Sequence, residues 1–201
     1  MTAPLSAPRL ADHPIDPAFL ERWSPRAFDG SGLSEEALLT LLEAARWAPS
    51  AYNAQPWRFV YGLRGTPPWE ALLTTLLAFN LAWAQNASAL VYVLSDTLFT
   101  PPGKNEPGPA TTASFDAGAA WGLLALQATK LGLHAHAMAG FDHGRAAQVL
   151  GSGGRYKIEA AIAIGRIGDP ASLPEGLRAR EFPSPRQPLS EIAFKGALPQ
   201  G

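Results

Sequence analysis

The stretch from Ala113 to Gly132 limits the fold more than any other part of this chain. Ala117, Ala120, Trp121, Leu124 and Ala128 recur at helical spacing on one side, and Leu123 and Leu126 lie elsewhere, so the helix is apolar nearly all round. Such a helix needs a wall on every face. Gly118, Ala119 and Gly122 are small enough for another helix to come close. The 201 residues read as a single domain, 1–201, which can bury roughly 70% of its unfolded surface. A domain of that size seldom encloses one helix completely. Two architectures are therefore open: an ordinary core helix, or a homodimer in which a second subunit supplies the missing wall. Its longest strongly apolar run, Ala117 to Leu126, is about half of the ~20 residues a membrane span needs.

The other elements follow from their own patterns. Residues 1–15 carry three prolines and read as an arm ordered only by contact with the rest of the chain. Asp16 and Pro17 start a short helix running to about Trp23. Ser34 caps the next, with Glu35 and Glu36 in its first turn and Leu38, Leu41, Leu42 and Ala45 as its buried face; it ends before Pro49. Trp57, Phe59 and Tyr61 alternate with Arg58 and Val60 as a strand. Trp69–Phe79 reads as a helix, Ala87–Leu94 and Leu133–Met138 as strands. Asp142 caps a helix through Leu150, and Tyr156–Gly165 is the last strand. Residues 99–112 hold four prolines and two glycines, which exclude regular structure and leave a lid or an idle insertion. Residues 166–201 form an extended arm that crosses the body, or a partner, and carries Arg178, Arg180 and Arg186 to a fixed place.

Several chemistries are excluded outright. There is no cysteine, hence no disulfide, thiolate catalysis or cysteine-ligated metal. His134 and His136 share a strand face, a possible metal arrangement that is disfavoured and not excluded, because no further Cys, His or carboxylate cluster accompanies it. With 16 basic against 17 acidic residues, nothing general favours nucleic acid or an anionic membrane. The first ten residues lack a signal-peptide pattern, so a cytoplasmic protein is expected. No G-x-S-x-G elbow or Walker loop is visible, and the turn Gly151–Gly154 leads into a strand where a dinucleotide fingerprint opens a helix. The carboxylates fall on predicted surface faces.

What remains is an organised polar loop without a reactive set. In Glu43–Val60, E-A-A-R-W-A-P-S-A-Y-N-A-Q-P-W-R-F-V, a helix runs into Pro49, and Pro56 opens a strand. Ser50, Asn53 and Gln55 stand on the turn between. None is a strong nucleophile, acid or base at neutral pH, which points to a borrowed cofactor. R-W-S-P-R-A-F (Arg22–Phe28) sets two arginines about a serine where Pro25 forbids regular helix; it is either a solvated turn or one half of a phosphate site completed by the tail arginines.

Four segments in order, R-W-S-P-R-A-F, A-R-W-A-P-S-A-Y-N-A-Q-P-W-R-F, G-L-H-A-H-A-M-A-G-F-D and S-P-R-Q-P-L-S-E-I, resemble the motifs of the FMN-dependent nitroreductase family from about Asp16 to Ile192. The resemblance implies an α+β fold with a central mixed or antiparallel sheet flanked by helices, and an intertwined homodimer with FMN at its interface. It implies cofactor contacts from Arg22, Trp23, Ser24 and Arg26, the phosphate lying at the arginines and serine with Arg186 closing over it. Pro49, Ser50, Ala51 and Asn53 would come from the other subunit, with Gln55 and Asn80 close by. Ala139 and Gly140 would face the ring near N5 through their backbone. The implied activity is ping-pong oxidoreduction, with NAD(P)H as donor and a nitroaromatic, quinone or similar acceptor. A flavin-binding protein that stores, delivers or degrades FMN is the alternative, and an interaction protein without cofactor a third.

Overall fold

The structure is a computed structural model describing residues 9–199; the outermost parts of both expected arms, 1–8 and 200–201, lie outside the described residues. Its centre is a four-stranded sheet. β1 (Trp57–Leu63), β2 (Ala89–Asp96), β6 (Tyr156–Gly165) and β5 (His134–Met138) lie side by side in that order, and every pairing is antiparallel. β2 is buried along its whole length because both faces of the sheet are covered. The register slips between Val93 and Leu94, where Ala160 and Ile158 are the successive partners, so Glu159 bulges out of the ladder.

On one face lie α2 (Glu35–Arg46) and α5 (Ala113–Lys130), sharing a core of Leu38, Leu41, Val91, Ala120, Leu124 and Ile162. Ser34 Oγ caps α2 by accepting from Ala37 N at 3.2 Å. The other face carries α3 (Pro67–Leu73), α4 (Ala78–Ala84), α6 (His143–Leu150) and part of the tail, packed around Trp69, Trp83, Tyr92 and Phe141. Asp142 accepts from Arg145 N and opens α6, which Gly151 closes at φ 62°. No helix among the described residues is long and apolar enough to cross a membrane.

Three expectations are corrected. The helix expected over 69–79 is two, α3 and α4. Residues 75–77 give their backbone to the 139–142 segment instead: Asp142 N bonds Thr75 O at 2.8 Å, Leu77 N bonds Gly140 O at 3.2 Å, and Leu76 bridges Phe141. Residues 99–112 are not wholly irregular, because β3 (Leu98–Phe99) pairs with β4 (Gly108–Pro109), an edge where proline costs no ladder bond. The first helix, α1 (Ala18–Glu21), stops short of Trp23, and Arg22 is extended at ψ 118°. Only one side of α5 is covered: Ala117, Ala120 and Leu124 are buried, whereas Phe115 is 82% exposed and Gly118 and Gly122 have open space beside them. The tail crosses the body of its own chain, with Ile167 bridging Phe28 and Leu189 N reaching Asp12.

Candidate functional site

The Arg22–Arg26 segment is fixed from two sides. His136, on β5, has Nδ1 2.9 Å from Pro25 O. From the tail, Glu181 Oε1 accepts both Arg26 N (2.6 Å) and Ala27 N (2.8 Å). The Glu181 side chain is 1% exposed, and Arg26 Nη1 stands 3.9 Å from its Oε2. That carboxylate, not a surface one as the sequence suggested, turns Arg26 toward the tail. Burial foremost lowers the Arg26 pKa, Arg180 adds to the lowering and Glu181 opposes it. Trp23 meets His134 edge-on at 6.1 Å, and His136 lies 4.7 Å from the Trp83 ring. Burial above all pushes His136 down to about 4, with Arg26 and Arg22 adding repulsion, so it is neutral at pH 7.

Arg22 is directed the other way. Its Nη1 donates to Ser24 Oγ at 3.3 Å, and it lines a groove of about 680 Å³ together with Arg186 and Arg9. Burial and then repulsion from Arg186 and Arg9 lower the Arg22 pKa. The expected meeting of Arg22 with Arg186 is thus present, and Arg9, from the aperiodic arm, is a third cation that no sequence signal indicated.

β5 leads from His136 to Ala139 and Gly140. Gly140 O accepts from Asn80 Nδ2 at 3.0 Å, and a Cβ on Gly140 would lie 2.5 Å from that nitrogen, so any side chain there would displace the Asn80 amide. Ala139 is exposed, and neither its N–H nor that of Gly140 has an acceptor among the described residues. Two backbone donors are therefore left without an internal acceptor among the described residues.

The Pro49–Gln55 loop is the most strained part of the backbone. Tyr52, Asn53 and Gln55 have φ of 51°, 53° and 48°, and among the described residues these are the non-glycine residues with positive φ. Ser50 Oγ accepts from Gln55 N at 3.0 Å, and Gln55 Nε2 donates to Asn53 O at 3.0 Å. Asp116, buried on the otherwise apolar α5, accepts from Ala51 N (3.3 Å) and Thr112 Oγ1 (3.1 Å). A lone acid in an apolar helix was the readable sign of this anchor. Tyr52, 77% exposed, stacks on Phe99 at 5.9 Å.

Within one chain these parts form two groups. The arginine groove lies near the C-terminal end of α5, where Asp16 pairs with Lys130 at 3.7 Å, while the Pro49–Gln55 loop hangs on Asp116 near its start. The helix has 18 residues, a length of about 27 Å. Among the described residues no cluster of three or more metal-ligating side chains is found.

The pattern of the Nitroreductase family matches residues 20–62. A solved structure described as an oxidoreductase containing FMN is 47% identical, covers 96% of this chain and 97% of its own, and superposes with a TM-score of 0.91. A Thermus thermophilus protein named NADH dehydrogenase is 30% identical over 204 residues, 88% of this chain and 93% of its own. A Rhodopseudomonas palustris protein named NADH dehydrogenase/NAD(P)H nitroreductase is 28% identical over 178 residues, 82% of this chain and 90% of its own.

Proposed function

The chain belongs to the nitroreductase family, and from that premise we propose that it is an FMN-dependent oxidoreductase that draws electrons from NAD(P)H. The observation that carries this reading is the convergence of Arg22 and Arg186, from opposite ends of the chain, on one groove beside Ser24. Guanidinium forks and a hydroxyl suit a phosphate monoester, each charge-assisted bond contributing on the order of 1.5–3 kcal/mol. Bound FMN would supply the redox chemistry, two electrons entering from NAD(P)H and leaving to an electron-poor acceptor, a nitroaromatic or a quinone, in a separate half-reaction.

The residues of this chain bind and orient. Arg22, Ser24 and Arg186 hold the phosphate, and Arg26 braces that segment through Glu181. Trp23 walls the same segment. The unclaimed N–H groups of Ala139 and Gly140, steadied by Asn80, would serve a bound flavin ring as hydrogen-bond donors. Pro49, Ser50, Ala51, Asn53 and Gln55 lie at the other end of α5 and reach a flavin only from a second copy, so the active form is a homodimer. The uncovered side of α5, with Phe115, Gly118 and Gly122, supports that assembly.

An absorbance spectrum of purified protein, followed by anaerobic titration with NADH and NADPH, tests the reading. A yellow protein bleached by either nicotinamide and reoxidised by a quinone is expected. Colourless protein that takes up no added FMN would end it.

A further inference from the structure

Three guanidiniums meet at the arginine groove, and two were accounted for above. Arg9 comes from the N-terminal arm, Arg22 from the end of α1 and Arg186 from the tail. Arg9 Nη1 donates to Leu20 O (2.5 Å) and Arg22 O (2.9 Å), which fixes the arm beside Arg22 and leaves Nε and Nη2 without an acceptor among the described residues. Arg22 spends one donor on Ser24 Oγ, and Arg186 bonds only its own neighbours Ser184 and Pro185. Asp12 also lines the groove, but its Oδ2 accepts Leu189 N at 3.0 Å. Among the described residues no carboxylate oxygen lies within 4.0 Å of any of the three guanidiniums. Three like charges gathered with no carboxylate in direct contact repel one another, and a bound anion would turn that cost into binding.

We propose that Arg9 is the third guanidinium of the cofactor-phosphate site, so that one phosphate dianion joins the N-terminal arm, α1 and the C-terminal tail. This rests on the reading of FMN as cofactor. Arg9 responds as a member of the cluster should: burial first and Arg186 second lower its pKa. The consequence is that both ends of the chain are tied down by the ligand, and that FMN is preferred over riboflavin, which has the same ring and no phosphate.

The experiment measures the affinity of full-length wild type, Arg9→Ala and Arg9→Lys for FMN and for riboflavin by flavin fluorescence. Arg9→Ala is expected to weaken FMN about tenfold or more and to leave riboflavin unchanged, with Arg9→Lys in between because it keeps the charge but not the fork. Equal losses for both flavins would assign Arg9 to bracing the arm and overturn the proposal, as would an unchanged FMN affinity. If wild type takes up no flavin, the functional reading fails by itself. Inorganic phosphate then replaces FMN as probe: a thermal shift present in wild type and lost in Arg9→Ala supports the anion site, and equal shifts refute it. Should Arg9→Ala not fold, Arg9→Lys carries the same comparison.

Discussion

His136 couples the Arg22–Arg26 segment to acidity. His136 has its ordinary pKa of 6.5 in the unfolded chain and about 4 in the fold, chiefly through burial. Between those values the unfolded state binds a proton that the folded state refuses. The associated stability is therefore full above pH 6.5, is lost as pH falls toward 4, and is on the order of 3 kcal/mol. His134 is lowered in the same direction, again by burial first and Arg22 second. Urea unfolding at pH 7, 5.5 and 4.5 should show wild type losing more stability than His136→Asn, whose amide can still face Pro25 O. Parallel losses would remove His136 from this role. Sequence alone placed His134 and His136 correctly on one strand face, yet gave no hint of their surroundings, since Trp23, Trp83 and Pro25 reach them from distant segments. Glu181 shows the same limit: it stands in a tail that local polarity marks as surface, and only tertiary contact supplies the backbone N–H groups it serves.

At the level of elements, legibility followed the range of the forces that set each boundary. α2 and α6 could be read because their caps, Ser34 and Asp142, immediately precede the helices they start. The break between α3 and α4 could not, because the competitor for those backbone groups arrives from residues 139–142. The arginines were legible as chemistry, and the tail was expected to carry Arg186 to them, but the tail's path was not legible because it has no periodicity, and Arg9 left no signal. That tail is held by a contact testable as an element. Glu181 satisfies Arg26 N and Ala27 N, and removing it leaves both donors without an acceptor at an estimated cost of about 2–3 kcal/mol. Glu181→Ala should make trypsin cleave after Arg180 and Arg186 faster than in wild type. Glu181→Gln, which keeps the accepting oxygen, should fall nearer wild type. Unchanged cleavage in both variants would show that the tail's other contacts, Ile167, Leu173, Leu177 and Leu189 among them, hold it without Glu181.

At the scale of the whole molecule the question is where one site ends and the next begins. The arginine groove and the strained Pro49–Gln55 loop stand at opposite ends of an 18-residue helix, so one chain supplies either half of a proposed cofactor site but not both. The uncovered side of α5 is where a second chain would run. Complementation decides the matter. Arg22→Ala/Arg186→Ala disables the groove and leaves the loop; Asn53→Asp puts a negative charge on the loop at a residue type that still tolerates positive φ. Neither variant alone should retain FMN. Refolded together in equal amounts, half of the dimers are mixed, and each mixed dimer has one site built from an intact groove and an intact loop. FMN uptake should then recover to about a quarter of wild type. If groove and loop served the same flavin within one chain, mixing would restore nothing.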